Sequence, residues 1–230
     1  MPVGASRLYS NSVSGPTSAE IQERLGQSFA LDRLWSETMG LPPGDTKEQP
    51  LRAVISVLES SGTAYAVIGG VAMQLHSSEP RTTLDIDLAV RAFSEIPRDA
   101  LSKAGFVHEG RHSHSDNWRS PGAAPRAQRV AVQFSSEDVG IVAAINGARA
   151  IDAGGFSLRL VAPPDLLVLK LAAAEEPRCR PSKRRQDLLD IVTLVDAYPE
   201  AASAVPDLES RVEHLSRELL AVGRSLGPER

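Results

Sequence analysis

Asp85 and Asp87 stand two positions apart in the stretch TTLDIDLAV of residues 82–90, behind the dipeptide Gly69-Gly70. On a strand, positions two apart project to one face, so the two carboxylates share a side while Leu84, Ile86 and Leu88 turn to the other. Acids held side by side repel each other unless a cation or hydrogen-bond donors lie between them, and hard oxygens at that spacing suit Mg²⁺ or Mn²⁺. Such an ion bridges phosphate oxygens, orients a leaving pyrophosphate and lowers the pKa of an attacking hydroxyl. Gly69-Gly70 lets backbone amides approach a ligand closely, and a helix beginning there directs its positive end at an anion. A nucleoside triphosphate fits both features. Arg81, ahead of Asp85, adds a fixed positive charge for the same phosphates.

Other chemistry-bearing residues read less sharply. Lys170 lies in an otherwise apolar helical stretch, where its ammonium must reach water or meet an acid such as Asp187. Arg178, Arg180, Lys183, Arg184 and Arg185 form a basic cluster that is either a solvated surface or a contact for phosphate or RNA. His108, His112, His114 and Asp116 fall in a polar stretch without a second anchoring segment, so they read as loop residues rather than a zinc site. Cys179 sits among arginines that lower a thiol pKa, but no histidine base is near it in sequence and it has no catalytic part.

These residues need a scaffold. The 230-residue chain is 42% hydrophobic and 23% charged, which excludes a fibrous or wholly disordered protein and leaves room for one large domain or two small ones. Aromatics make up only 4%, so stacking platforms for bases are scarce. The net charge of -4 argues against a general cationic coat. With a single cysteine and no apolar run of about 18 residues, the reading is a cytoplasmic chain with no membrane span. Residues 1–19 read as a flexible tail, 20–49 as a helix and linker, 50–161 as a core, and 162–230 as a C-terminal helical region. Helical spacing marks Ile21 to Trp35 and Leu51 to Leu58. Strand patterning marks residues 65–68, 82–90, 129–134 and 156–161, with a short strand at 106–107 and a polar loop with a mobile tip over 109–127. Further helices follow at 96–103, 166–173, 188–195 and 206–222. Helices and strands mixed in this order predict an α+β or α/β protein built on a mixed sheet.

Val67-Ile68-Gly69-Gly70-Val71-Ala72 followed by Arg81-Thr82-Thr83-Leu84-Asp85-Ile86-Asp87-Leu88 resembles the Gly-Gly, helix, Asp-x-Asp signature of nucleotidyltransferases of the DNA polymerase β superfamily. Asp165-Leu166-Leu167, Lys170-Leu171 and Asp187-Leu188-Leu189-Asp190 resemble the second half of the bacterial AbiEii-type members. The resemblance covers roughly residues 50–197. It implies an α+β fold, with a polymerase-β-like core of mixed sheet and flanking helices plus C-terminal helices. It implies Mg²⁺ or Mn²⁺ on Asp85 and Asp87, and triphosphate contacts from Gly69, Gly70 and Arg81. Lys170, Asp187, Arg184 and Arg185 would complete the nucleotide side. The reaction implied is transfer of a nucleoside monophosphate to a hydroxyl of an RNA such as tRNA, a protein or a small molecule, and members serve as toxins with a cognate antitoxin. The family places a third carboxylate on the following strand, where this chain has Gln133. Glutamine can ligate through its carbonyl but cannot act as a general base. Glu137 or Asp138 could reach in instead. A degenerate module that binds nucleotide or RNA without turnover is the alternative, and an interaction protein such as an antitoxin or scaffold is a third reading.

Overall fold

The computed structural model describes residues 16–40, 46–79, 83, 85–136 and 140–225. The N-terminal part runs α1 (Ser18–Thr38), α2 (Glu48–Ser60), β1 (Tyr65–Ile68), α3 (Gly69–His76) and β2 (Asp85–Val90). Then come α4 (Arg98–Lys103), β3 (Val107–Arg111), β4 (Ser115–Arg119), β5 (Ala131–Ser135), α5 (Ile141–Gly147), β6 (Arg149–Asp152) and β7 (Ser157–Leu160). Three helices finish the chain: α6 (Pro163–Glu175), α7 (Pro181–Ala197) and α8 (Leu208–Ser225). The strands form one sheet in the order β3-β4-β5-β2-β1-β7-β6. The pairs β2–β5 and β1–β7 are parallel and the others antiparallel, so the mixed sheet with flanking helices expected from the sequence is what the chain forms.

The local causes are ordinary. Thr17 and Glu20 make a reciprocal capping box that starts α1, and Pro163, Pro164 and Asp165 suit the first turn of α6. In β2, Ile86 and Leu88 are fully buried against Val132 and Phe134 of β5, also fully buried, and this apolar face fixes the register that puts the acids on the other side. Leu208, Val212, Leu215 and Leu219 pack α8 onto the core. Lys47, at the start of α2, is buried and holds Asp32 of α1 at 2.7 Å while donating to the Thr83 carbonyl at 3.2 Å. That link ties the N-terminal helix to the segment entering β2.

The polar loop expected over 109–127 is corrected. Residues 107–119 form the β3–β4 hairpin, in which Asp116 is fully buried and Trp118 nearly so. The alternation was hidden because an acid takes an inward position. Asp116 tolerates burial because Arg98 donates to it, Trp118 Nε1 donates to it at 2.6 Å and His108 lies 3.1 Å away. Among the described residues no group of three or more His, Cys, Asp or Glu side chains could hold a metal ion. Most of the tail, the linker at 41–45, Arg81, Leu84, Glu137 and Asp138 lie outside the described residues.

Candidate active site

β2 lies between β1 and β5, and the register there decides which side chains meet. Asp87 is paired with Ile68 on one side and Gln133 on the other, while Asp85 is paired with Ala131. Across the next strand, Gln133 is paired with Asn117 and Ala131 with Arg119. Paired residues project to the same face, so two rows cross it: Asp85, Ala131, Arg119 and Asp87, Gln133, Asn117. Both aspartates are half-buried.

Gly69 closes one side of the pair. Its φ of +62° is a conformation that glycine adopts freely, and a Cβ there would lie 2.0 Å from Asp87 Oδ2 and 2.6 Å from Asp87 Cβ. At Gly70 a Cβ would meet Thr83 Oγ1 at 2.4 Å. The sequence therefore carries glycine twice because the start of α3 lies against Asp87 of β2 and against Thr83 ahead of that strand. The Gly70 N–H donates to Asp87 Oδ2 at 3.3 Å, so the positive end of α3 already faces a carboxylate.

Burial pushes the proton affinity of both aspartates up. For Asp87 the neighbouring Asp85 adds to the rise, while Lys170, the Gly70 N–H and Lys183 oppose it. For Asp85, Arg119 and Lys183 oppose the rise. Two desolvated like charges whose protons are held more tightly than usual form a site that a cation would relieve. The donor set is two hard carboxylates with the Gln133 amide beside Asp87, which fits Mg²⁺ or Mn²⁺ without supplying the third negative charge.

Asp87 and Gly69 line a cleft of about 950 Å³ whose far wall is built by α6 and α7, including Lys170, Lys183 and Asp187. Lys170 is buried between Asp187 at 3.0 Å and Asp190 at 2.6 Å. Burial alone would lower its pKa, but the two carboxylates outweigh burial and hold it raised. Lys183, half-exposed, reaches Asp187 at 2.7 Å from one turn earlier on α7. The structure thus brings Asp87, Gly69, Lys170 and Asp187 around one cleft, with Asp85 two residues from Asp87 on β2 and the Gly70 N–H donating to Asp87. Arg178 of the basic cluster lines the cleft as well, but Arg184 and Arg185 do not. Arg184 donates to the Ala174 and Glu176 carbonyls and to Glu218, capping the end of α6, and Arg185 is exposed. Cys179 does line it, yet burial and then Asp187 push its thiol up despite Arg184 and Lys183, correcting the expectation of a lowered value.

A family model for "Nucleotidyl transferase AbiEii toxin, Type IV TA system" matches residues 54–224. The chain belongs to this AbiEii nucleotidyltransferase toxin family. Its mixed sheet with flanking helices is the fold the sequence led us to expect of it. Among solved structures, the chain is similar to an antigenic nucleotidyltransferase-like protein from Paracoccidioides brasiliensis, at 20% identity and a TM-score of 0.44 over 72% of this chain and 93% of that one. It is also similar to JHP933 from Helicobacter pylori, at 14% identity and a TM-score of 0.40 over 78% of this chain and 91% of that one. No curated protein matches it.

Sequence reasoning undervalued three residues of this face. Lys183 was one member of a basic cluster, although its place four residues before Asp187 marks it as a partner on the same helical side. Asn117 and Arg119 were hidden in the supposed loop, where only their spacing of two hinted at a strand.

Proposed function

We propose that the protein transfers a nucleoside monophosphate from a nucleoside triphosphate to an acceptor hydroxyl. The reading rests on one observation: Asp85 and Asp87 share a sheet face beside a diglycine turn that must be glycine for Asp87 to fit, at the wall of a cleft lined by lysines. In the reaction a bond forms between the acceptor oxygen and the α-phosphorus, the bond from that phosphorus to the bridging oxygen breaks, pyrophosphate leaves, and the hydroxyl proton passes to water. Asp85 and Asp87 would hold Mg²⁺ or Mn²⁺, which supplies Lewis-acid stabilisation of phosphate charge. Gly69 and Gly70 leave room for phosphate oxygens close to the backbone, and Lys183 and the Lys170–Asp187 pair form the opposite wall. Arg81 precedes β2 and we assign it to the same phosphates, whereas Arg184 and Arg185 have no part in our scheme. Membership of a toxin family supports a toxin role with an antitoxin partner, and the single cysteine fits action in the cytoplasm.

Gln133 motivates a second reading, a nucleotide-binding module without turnover, since the amide stands in register with Asp87 where the family has an acid. The test is incubation with α-labelled nucleoside triphosphates, Mg²⁺ or Mn²⁺, and total RNA or protein. Transfer of label that is lost in Asp85→Ala supports the enzyme. Metal-dependent nucleotide binding without transfer, with label transfer gained in Gln133→Asp, would replace it with the module.

A further inference from the structure

A second depression, of about 600 Å³, lies over β4 and β5 and is lined by Ala131 and Gln133, the register partners of Asp85 and Asp87. Its walls include Glu109, Asn117, Arg119, Arg126 and Gln133. One register row links the two hollows: Asp87 lines the larger one and its partner Gln133 the smaller. Ala131, between Asp85 and Arg119, contributes only a methyl, so the floor stays low between carboxylate and guanidinium.

Transfer at phosphorus is roughly in line, so the incoming hydroxyl must approach from the side opposite the departing pyrophosphate. If the triphosphate lies along Gly69, Lys170 and Lys183, that opposite side is the β4–β5 hollow. Resting on the nucleotidyl-transfer reading, we propose that this hollow is the acceptor subsite and that Arg119 and Arg126 select an acceptor carrying a phosphate beside its hydroxyl.

The chemistry of the walls carries the choice. Arg119 Nε lies 2.8 Å and Arg126 Nε 3.4 Å from the same carboxylate, that of Glu109. Two guanidiniums share one acid, which leaves an excess positive charge in the hollow. Backbone contacts hold both arginines in place: Arg119 Nη1 donates to the Arg129 carbonyl at 2.9 Å and Arg126 Nη2 to the His108 carbonyl at 2.9 Å. Anchored guanidiniums suit a phosphate, whose oxygens accept from planar N–H donors. Asn117 and Gln133 add amides able to donate to or accept from a sugar hydroxyl. The hollow is therefore fitted for a polar anion rather than an apolar side chain.

The experiment uses the full chain with Mn²⁺ and two probes, a fluorescently labelled RNA trinucleotide with a free 3′ hydroxyl and ribose 5-phosphate as competitor. A non-hydrolysable nucleoside triphosphate is titrated separately. Arg119→Gln and Arg126→Gln, singly and together, should weaken trinucleotide binding, the pair by more than about tenfold, and leave triphosphate affinity within about twofold. Displacement by ribose 5-phosphate at similar concentration would mark a small phosphorylated acceptor as sufficient, and failure to displace would mark a nucleic-acid end; both support the subsite. Trinucleotide affinity unchanged in the double variant, or preferential binding of an uncharged serine peptide, overturns it while the triphosphate titration stands. Should the wild type bind no triphosphate, the transfer reading fails first and the subsite with it. Because Arg119 also braces the hairpin, Asn117→Asp is a second probe: it adds a negative charge to the same row without removing an arginine contact, and it should weaken the trinucleotide alone.

Discussion

Replacing Gly69 with alanine separates a strained turn from a blocked site. The backbone cost can be measured independently at Gly62, whose φ is +65° and whose added Cβ would have nothing within 4 Å. An L-residue in that left-handed conformation costs about 1–2 kcal/mol, which for a chain of this size lowers Tm by roughly 2–4 °C per kcal/mol. Gly69→Ala carries the same cost, since its φ is +62°, and adds a collision. Rotating the Asp87 carboxylate relieves the 2.0 Å approach to Oδ2, but not the 2.6 Å approach to Asp87 Cβ, which is fixed to the strand. Restoring ordinary contact requires α3 and β2 to separate by about 1 Å, and a misplacement of that size costs on the order of 10²-fold in rate. The assay is a pair of melts and a pair of label-transfer rates on Gly62→Ala and Gly69→Ala. The expected result is a small, similar loss of Tm from the backbone in both, with further destabilisation and a collapse of transfer in Gly69→Ala only. If the two variants behaved alike in both measurements, the argument that Asp87 dictates the glycine would be refuted.

Other outcomes follow from the same charges. Burial, and for Asp87 the adjacent Asp85, raises both folded pKa values above the ordinary carboxylate value; a proton held more tightly in the folded state means that metal-free stability falls as pH rises from the usual carboxylate pKa through the raised one. Asp87→Asn should accordingly raise Tm at neutral pH without metal and abolish transfer; a lowered Tm would contradict it. Lys170→Met leaves Asp187 and Asp190 buried without their shared cation, a loss of about 3–5 kcal/mol that a denaturant titration would detect, and an unchanged midpoint would mean that the pair is not what holds α6 to α7. His76 is buried with its Nε2 2.8 Å from the Val161 carbonyl, and desolvation pushes its pKa down to about 4. A depressed histidine holds fewer protons folded than unfolded, so its contribution is complete above about pH 6.5 and is lost as pH falls toward 4, about 3 kcal/mol in all. In His76→Asn the stability curve between those pH values should flatten, which melts across the range would check.

How much of this was legible in the sequence varies by residue. The β2 acids could be placed because Ile86 and Leu88 alternate with them and an apolar face admits one register. Gln133 could be placed opposite them for the same reason, through Val132 and Phe134. The β3–β4 hairpin could not, because its inward row contains Asp116, and a charge at a core position becomes readable only once Arg98, His108 and Trp118 are seen around it. That miss concealed Asn117, Arg119 and the second hollow. Thr17 and Glu20 stated the start of α1 as a capping box, yet α1 begins inside a stretch whose Ser, Gly and Pro content read as a tail. The basic cluster near α7 divides by helix side. Lys183 turns to Asp187 in the cleft, and the adjacent Arg184 turns to the end of α6, a difference set by where α6 stops rather than by residue type.

The claim on which all of this depends is that Asp85 and Asp87 jointly hold a divalent ion that engages a triphosphate. Titration of Mn²⁺ followed by electron paramagnetic resonance, in the presence of a non-hydrolysable nucleoside triphosphate, reports that ion directly. The wild type should take up Mn²⁺ more tightly with the nucleotide than without it, and both Asp85→Ala and Asp87→Ala should lose that uptake while remaining folded. Uptake of Mn²⁺ that the nucleotide does not strengthen, or that survives in the two folded variants, would contradict the account.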